Sequence, residues 1–509
     1  MRSPNPNTAG LEPQNPWRSP LVFAGLLAVT VLVRGPFYNI VHEDEAFYAV
    51  IAQRWLSGQW PYSASFDVKP PLTFAILAAG QALFGMHFWV IKVIEGLAVG
   101  LGAFGIWRLL EGFNQPRAAL WAGLLFVGFS LPLLGVSSPA QLIQNAFTIW
   151  AFAYGLSARR SGKGDQAWVS GFLVGMAILT KQTAVFDAAA LAIFMLGSER
   201  RAVSWRGFKL LIVWGLGALV PIIICSLAFV LSGHGAVFLR DTVVFALARA
   251  GLASQALQPI GPFGIGTRFL GFFGSLAPLM ALVGALVLFI TRRARLSRLV
   301  DPSLLGLLIL WLVCASLGIL TFLNIQPWYA FPLIPPLVMV AALVIEHALA
   351  FQAQGRLSLQ ILTVAFCVAS GVFVDRDQVS IRNFSGAPDI EAARLASAAL
   401  RDAGIRSSDR LLIPIRGQSV YVLTGNLPDA TYFNSSHLIC AFATPDRDPL
   451  ALALSSRPDF LVLSDTRFAY GCTVPEQVDR ITESLRQNYR LVGSVHGTWD
   501  TLSLYRLVP

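Results

Sequence analysis

The sequence predicts a multi-pass α-helical membrane protein of about 11 spans, followed by a small extracytoplasmic α/β domain. Three observations predict it. Of the 509 residues, 55% are hydrophobic and only 13% charged, against about 25% charged in soluble domains, and the mean hydropathy is +0.62. Eleven apolar runs approach the roughly 20 residues that cross a bilayer core of about 30 Å; they lie near 21–40, 88–109, 118–135, 140–157, 167–183, 184–198, 209–231, 268–290, 303–322, 330–347 and 358–374. After Val374 the composition turns polar, and strand-like and helix-like stretches alternate.

Taken in order, the first run lacks a small-residue cleavage site and ends at Arg34 and Pro36, so it reads as a retained anchor. A long loop follows, from about 41 to 87. In its first part Phe47, Val50, Ile51 and Trp55 recur at offsets of three and four, which predicts an amphipathic helix over Asp44–Ser57 lying at the membrane surface. Its second part, Pro71 to Gly85, is apolar but about three-quarters of a usual span and opens on two prolines. Charge decides whether it crosses. With Pro71–Gly85 not crossing and the N-terminus cytoplasmic, the clusters Arg108/Arg117, Arg159/Arg160/Lys163, Arg200/Arg201/Arg206/Lys209 and Arg292/Arg293/Arg295/Arg298 all fall inside. The opposite loops, 135–140 and 324–329, carry no Lys or Arg. The loop at 41–87 and everything after Val374 are then extracytoplasmic.

Two regions result, a membrane domain over 1–374 and an α/β tail over 375–509. In the tail, "RLLIPIR", "SVYVLTG", "DFLVLSD", "YRLVGSVHG" and "TLSLYRL" read as strands, with helical patterns at Ile390–Ala403 and Pro475–Asn488. Cys225, Cys314 and Cys367 lie in apolar runs as small hydrophobes. Cys440 and Cys472 lie in the tail, where an oxidising compartment would allow them to pair or leave them as two thiols. The net charge of +10 sits in short loops that orient spans, which argues against nucleic acid as a partner.

The first loop gathers the chemistry. Asp44 and Glu45 occupy the first turn of the expected helix, where the dipole favours negative charge, and Asp44 shares a face with Tyr48 one turn on. Lys69 precedes Pro70 and Pro71 in a stiff extended turn. The plain alternatives are an acidic helix start and a snorkelling lysine. An ionisable pair at the edge of a span is more often functional. A carboxylate takes the proton of an attacking hydroxyl while Lys and Arg neutralise the oxygens of a departing phosphate. An acid and a cation together at a membrane surface therefore point to group transfer from a lipid phosphate.

The order "DEAFYAVIAQRWLSG…KPPL", then "GFLVGMAILTKQTAVF" and "QPWYAFPLIPPL", resembles the family 39 glycosyltransferases, which include protein O-mannosyltransferases and lipid A aminoarabinose transferases. The resemblance covers about 21–374 and not the tail. It implies the GT-C fold and a sugar donor carried on a polyprenyl phosphate. It further implies an acceptor that is lipid, glycan or protein, inversion at the anomeric carbon, and action at the outer face of the cytoplasmic membrane. By position it makes Asp44 the catalytic base, Glu45 the acid that orients Asp44 or the acceptor, and Lys69 the contact to the donor phosphate. Tyr48 falls on the substrate face beside Asp44. Arg34 matches a basic position common in such sequences, Lys181 would face the donor, and Tyr329 would bound it; membrane-interface anchoring is the other reading of these three. Two departures stand out. The loop "GVSSPAQLIQN" offers Gln141 and Gln144 where many relatives carry a second acid, leaving that role vacant or with Glu43 or Glu45, and Gln326, Pro327 and Trp328 replace the usual cation before Tyr329. Arg240 and Arg249, in "FLRDTVVFALARAG", are substitutes able to hold a phosphate bidentately.

No cofactor is required with certainty. His42, Glu43 and Asp44 are consecutive and diverge on a helix, so they make a poor ligand set, while a divalent metal ion bridging the donor phosphate stays open. A carrier or flippase for a lipid-linked sugar, or a non-catalytic binder, is the rival class. A carrier would show mid-bilayer ionisable residues and repeated halves, and no clear repeat is present.

Overall fold

The computed structural model describes residues 18–38, 41, 43–131, 138–197, 205–247, 301–321, 327–351, 388–414, 417–433, 449–464, 483, 485–497 and 501–508. The predicted spans at 268–290 and 358–374, and both Cys440 and Cys472, lie outside the described residues.

The membrane region is helical. Helix α1 (Arg18–Arg34) leads to α2 (Glu43–Leu56) and α3 (Leu72–Phe84), then to α4 (Phe88–Gly112), α5 (Pro116–Phe129), α6 (Pro139–Ser161), α7 (Gly164–Thr180), α8 (Ala184–Leu196) and α9 (Trp205–Leu231). A short α10 (Gly235–Leu239) runs into a π-helical turn, Arg240–Val244. Helix α11 (Pro302–Thr321) and a 3-10 segment, Pro327–Leu333, precede α12 (Ile334–Phe351). Among the described residues, four helical stretches are long and apolar enough to cross a bilayer: Ser19–Phe37, Phe88–Gly112, Trp205–Leu231 and Pro302–Leu320. At a rise of about 1.5 Å per residue α3 extends about 20 Å, short of a bilayer core, and it packs chiefly on α2, with further contact to α4, α6 and α7.

Small residues set the closest helix contacts. A Cβ on Gly171 of α7 would fall 1.8 Å from the Trp214 carbonyl oxygen of α9, and one on Gly217 of α9 would fall 2.3 Å from the Trp168 carbonyl oxygen of α7. The glycines of "GFLVGMAILTK" thus form a membrane-type packing face.

Among the described residues, the tail holds a four-stranded sheet of order β1-β2-β4-β3. It is built from β1 (Leu411–Leu412), β2 (Phe460–Ser464), β3 (Tyr489–His496) and β4 (Thr501–Leu507). Strands β1 and β2 are parallel and the other pairs antiparallel. Helix α13 (Pro388–Asp402) precedes the sheet and buries Ala393, Ala396 and Leu400. The stretch "SVYVLTG", expected to be a strand, is instead a helix, α14 (Ser419–Thr424). Its β-branched residues read as strand, but Gly417 (φ +101°) and Gly425 (φ +80°) bracket it, and the left-handed Gly425 closes the helix by donating to the Tyr421 carbonyl. Helix α15 (Pro449–Ser455) precedes β2.

Helix α2 also departs from expectation. It was expected at the membrane surface with one apolar face, yet Ala46 to Ala52 are all buried. The tail supplies its second wall: α14 packs on α2, and the Phe433 ring lies 5.0 Å from that of Phe47.

Candidate active site

Helix α2 carries Asp44 and Tyr48 on one face, and the Tyr48 hydroxyl donates to Asp44 Oδ2 at 3.1 Å. The i, i+4 spacing brings them together. Burial, reinforced by the Asp44 and Asp67 carboxylates, pushes the Tyr48 phenol well above its ordinary pKa. It is therefore a hydrogen-bond donor at any working pH. The ammonium of Lys69 sits over the Tyr48 ring, 4.7 Å from its centroid. Acid and cation thus both meet a single tyrosine side chain, one at its hydroxyl and one over its ring. Both are half-buried, so the face they share is reachable from outside.

The loop that presents Lys69 is held from several sides. Asp67 Oδ1 accepts from the amides of Val68 (2.6 Å) and Lys69 (3.0 Å) and lies 3.8 Å from the Lys69 ammonium. The Tyr62 hydroxyl donates to the Lys69 carbonyl at 2.8 Å. Gln182 donates to the Val68 carbonyl (2.5 Å) and to the Thr242 carbonyl (3.0 Å), joining the lysine loop to the π-helical turn after α10. Pro71 then caps α3.

Lys181 closes α7 in an extended conformation, buried, with its ammonium 4.5 Å from the centroid of the Tyr329 ring. Asn145 of α6 donates to the Phe331 carbonyl at 2.9 Å and so anchors the 3-10 segment that bears Tyr329. Gln182, the residue after Lys181, donates to the Val68 carbonyl just before Lys69 and so brings this pair to the lysine loop. Asp44, Tyr48, Lys69, Lys181 and Tyr329 are thereby drawn from four parts of the chain to one place. Arg240 stands farther out. Its Nε donates to Asp241 Oδ1 at 2.7 Å, which raises its pKa, and its guanidinium lies over Phe245. Phe245 meets Phe66, and Phe66 meets Tyr432 of the tail. Arg249 lies outside the described residues.

Arg34 and Glu45 point elsewhere. Glu45 is fully buried with its Oε1 2.5 Å from the Lys92 ammonium, and Arg34 reaches Glu95 Oε2 at 3.4 Å. Lys92, Glu95 and Asp67 were missed in the sequence, the first two because a cation and an acid three apart near the start of an apolar helix read as ordinary interface residues. Asp187 was missed as well. It is buried near the start of α8, accepting from Trp311 Nε1 (3.0 Å) and Gln144 Nε2 (3.3 Å), so an acid from another helix stands beside the glutamine of the acid-free loop. Among the described residues no group of three or more His, Cys, Asp or Glu is arranged to hold a metal ion.

Residues 68–228 match the family described as dolichyl-phosphate-mannose-protein mannosyltransferase. The matched segment includes Lys69 and Lys181 but not Asp44. An undecaprenyl phosphate-alpha-4-amino-4-deoxy-L-arabinose arabinosyl transferase of Pseudomonas fluorescens is 30% identical over 238 residues, which is 43% of this chain and 41% of that one. The enzyme of the same description from Pseudomonas savastanoi is 27% identical over 216 residues, 40% of each chain. The match thus spans about two-fifths of the length of these relatives. The crystal structure of ArnT from Cupriavidus metallidurans bound to undecaprenyl phosphate superposes with a TM-score of 0.59 at 15% identity, covering 96% of this chain and 98% of that one. The fold is therefore that of a GT-C membrane protein, as the family resemblance implied.

Proposed function

We propose that the protein is an integral membrane glycosyltransferase that moves a sugar from a polyprenyl-phosphate donor to an acceptor oxygen. The observation that carries this reading is the Asp44–Tyr48–Lys69 arrangement, with a carboxylate at the hydroxyl and an ammonium over the ring of one tyrosine. Asp44 takes the proton of the attacking hydroxyl. The acceptor oxygen bonds to the anomeric carbon, and the bond from that carbon to the phosphate oxygen breaks. The electron pair leaves with the polyprenyl phosphate, whose charge Lys69 and Lys181 stabilise. One displacement with one base inverts the anomeric carbon. Tyr48 holds Asp44 in place, and Tyr329 bounds the sugar.

The relatives' names make undecaprenyl phosphate carrying 4-amino-4-deoxy-L-arabinose the first donor to test. The acceptor is lipid A, another glycolipid, a polysaccharide or a protein. In this reading the chain makes 11 crossings of the cytoplasmic membrane with its N-terminus inside, and residues 375–509 form an extracytoplasmic domain. The lysine- and arginine-poor loops on one side support it, as do direct bonds between the tail and the first loop, which require both to share one side.

The test is transfer by the purified full chain in lipid nanodiscs, supplied with that donor and with lipid A. Formation of aminoarabinosyl lipid A, with release of undecaprenyl phosphate, is expected. Binding of the donor without transfer to any acceptor class would return the carrier reading. The lysines supply the positive charge in this account, so chelation with EDTA leaves the rate unchanged. Loss of activity restored by magnesium would instead assign a metal to the donor phosphate.

A further inference from the structure

Arg34 closes α1, Lys92 and Glu95 lie in the first two turns of α4, and Glu45 lies in the first turn of α2. The structure joins them. The Lys92 ammonium lies 2.5 Å from Glu45 Oε1 and 3.4 Å from Glu95 Oε2. Arg34 Nη2 lies 3.4 Å from the same Glu95 oxygen, and its Nη1 donates to the Ser130 carbonyl and hydroxyl at the end of α5, at 3.3 and 3.2 Å. Both carboxylates are fully buried. Two cations thus face two buried acids, and buried ionisable groups persist only when paired in this way.

The cluster has a geometric consequence for the next residue. Consecutive side chains on an α-helix diverge by about 100°. While Lys92 draws Glu45 toward α4, Asp44 and the Tyr48 on its own face are turned by that angle toward Lys69. Ala49 and Gln81 add a second tie on the same helix, since Gln81 of α3 donates to the Ala49 carbonyl at 3.1 Å. The ion cluster is the tie that acts beside Asp44 itself.

We propose that the Arg34–Glu95–Lys92–Glu45 cluster fixes the rotation of α2 and so aims the Asp44 carboxylate at the acceptor. Lys92, Glu95 and Glu45 are positioning residues, and Arg34 acts through Glu95 rather than on the donor phosphate. This rests on Asp44 being the base. Lys69 and Lys181 hold the phosphate, so disturbing the cluster lowers turnover and leaves donor binding intact.

The experiment compares the native full chain with Lys92→Met, Lys92→Arg, Arg34→Lys and Lys69→Ala in nanodiscs. Three quantities are read: binding of undecaprenyl phosphate by native mass spectrometry, transfer turnover, and carbodiimide labelling of Asp44 by peptide mass spectrometry. Lys92→Met should bind undecaprenyl phosphate as the native chain does, lose about 100-fold in turnover as displaced catalytic groups do, and label differently at Asp44. Lys92→Arg should restore both turnover and labelling. Lys69→Ala should weaken binding of undecaprenyl phosphate without changing Asp44 labelling. If Lys92→Met or Arg34→Lys weakens that binding as Lys69→Ala does, these cations are donor ligands and the proposal is overturned. Native turnover in a folded Lys92→Met protein also overturns it. Should the native chain transfer no sugar, the proposed function falls by itself. Asp44 labelling still decides the cluster's role, because identical labelling in native and Lys92→Met proteins removes it.

Discussion

Tyr48 is the residue on which the site turns, since its hydroxyl serves Asp44 while its ring carries Lys69. Tyr48→Phe keeps the ring and the lysine but deletes the bond to the carboxylate. A hydrogen bond to a charged group contributes about 1.5–3 kcal/mol, so we expect roughly a tenfold loss of turnover or more, with donor affinity held. Unchanged turnover would remove Tyr48 from the orientation of the base. The buried phenols also set an alkaline limit. Tyr48 and Tyr62 are pushed well above their ordinary pKa, and Tyr489 up to about 12, in each case chiefly by burial. Their pKa is higher folded than unfolded, so the stability they contribute is complete below about pH 10, the unfolded value. It falls as pH rises beyond that toward the folded values. Thermal unfolding in nanodiscs should show a midpoint that drops above pH 10, and a midpoint flat to pH 12 would contradict the burial of these groups. The Asp44–Tyr48 pair was legible because four residues on a helix bring side chains together. The Lys69 contact was not, since it joins residues 21 positions apart through a loop whose path depends on Asp67, Tyr62 and Gln182.

Among the elements, α7 and α9 show how sequence motifs divide between packing and chemistry. The "GFLVGMAILTK" stretch carries part of the family resemblance. Gly171 and Gly175 turn out to be the surface on which α9 lies, and only Lys181 at its end reaches the site. Gly171→Ala inserts a methyl at a position 1.8 Å from the Trp214 carbonyl oxygen, so the helices must separate. Overpacking of this kind costs about 1–3 kcal/mol. The expected result is a lower unfolding midpoint together with reduced turnover, and an unchanged midpoint would show that the two helices are not held this closely. Helix α2 was legible as a helix from its three- and four-residue spacing, and its range is nearly that expected. Its environment was not legible. An apolar stripe says that a face is covered without saying by what, and the cover on its second side comes from residues nearly 400 positions later. "SVYVLTG" misled for a related reason. Six residues, four of them strand-favouring, are too few for periodicity to separate helix from strand, and the two flanking positive-φ glycines decide it.

At the scale of the whole molecule, the tail and the first loop form one structure. Arg54 of α2 is buried and donates to the Ala430 carbonyl at 2.8 Å, the Phe66 amide donates to the Thr431 carbonyl at 3.0 Å, and the Thr431 hydroxyl donates to the Ser63 carbonyl at 3.2 Å. Burial brings the Arg54 guanidinium down to about 10, so it stays charged at neutral pH. These bonds brace the segment that ends at Lys69, and Tyr432 meets Phe66 at the rim near Arg240. A chain ending near Val374 should therefore insert in the membrane and transfer nothing, whereas normal activity of a stable chain so shortened would make the tail dispensable. Four of the five stretches read as strands in the tail are strands, but this clasp could not be read, because its bonds are mostly to backbone carbonyls and carry no residue signature. Whether Asp44 is the base of a sugar transfer is decided by mass spectrometry of envelope lipids and glycans from cells with the native protein, with Asp44→Asn, and with none. A general base contributes about 10²–10⁴-fold, so one sugar mass present with the native protein should be lost alike in the other two. A sugar mass lost only without the protein, and retained with a properly inserted Asp44→Asn chain, would contradict it.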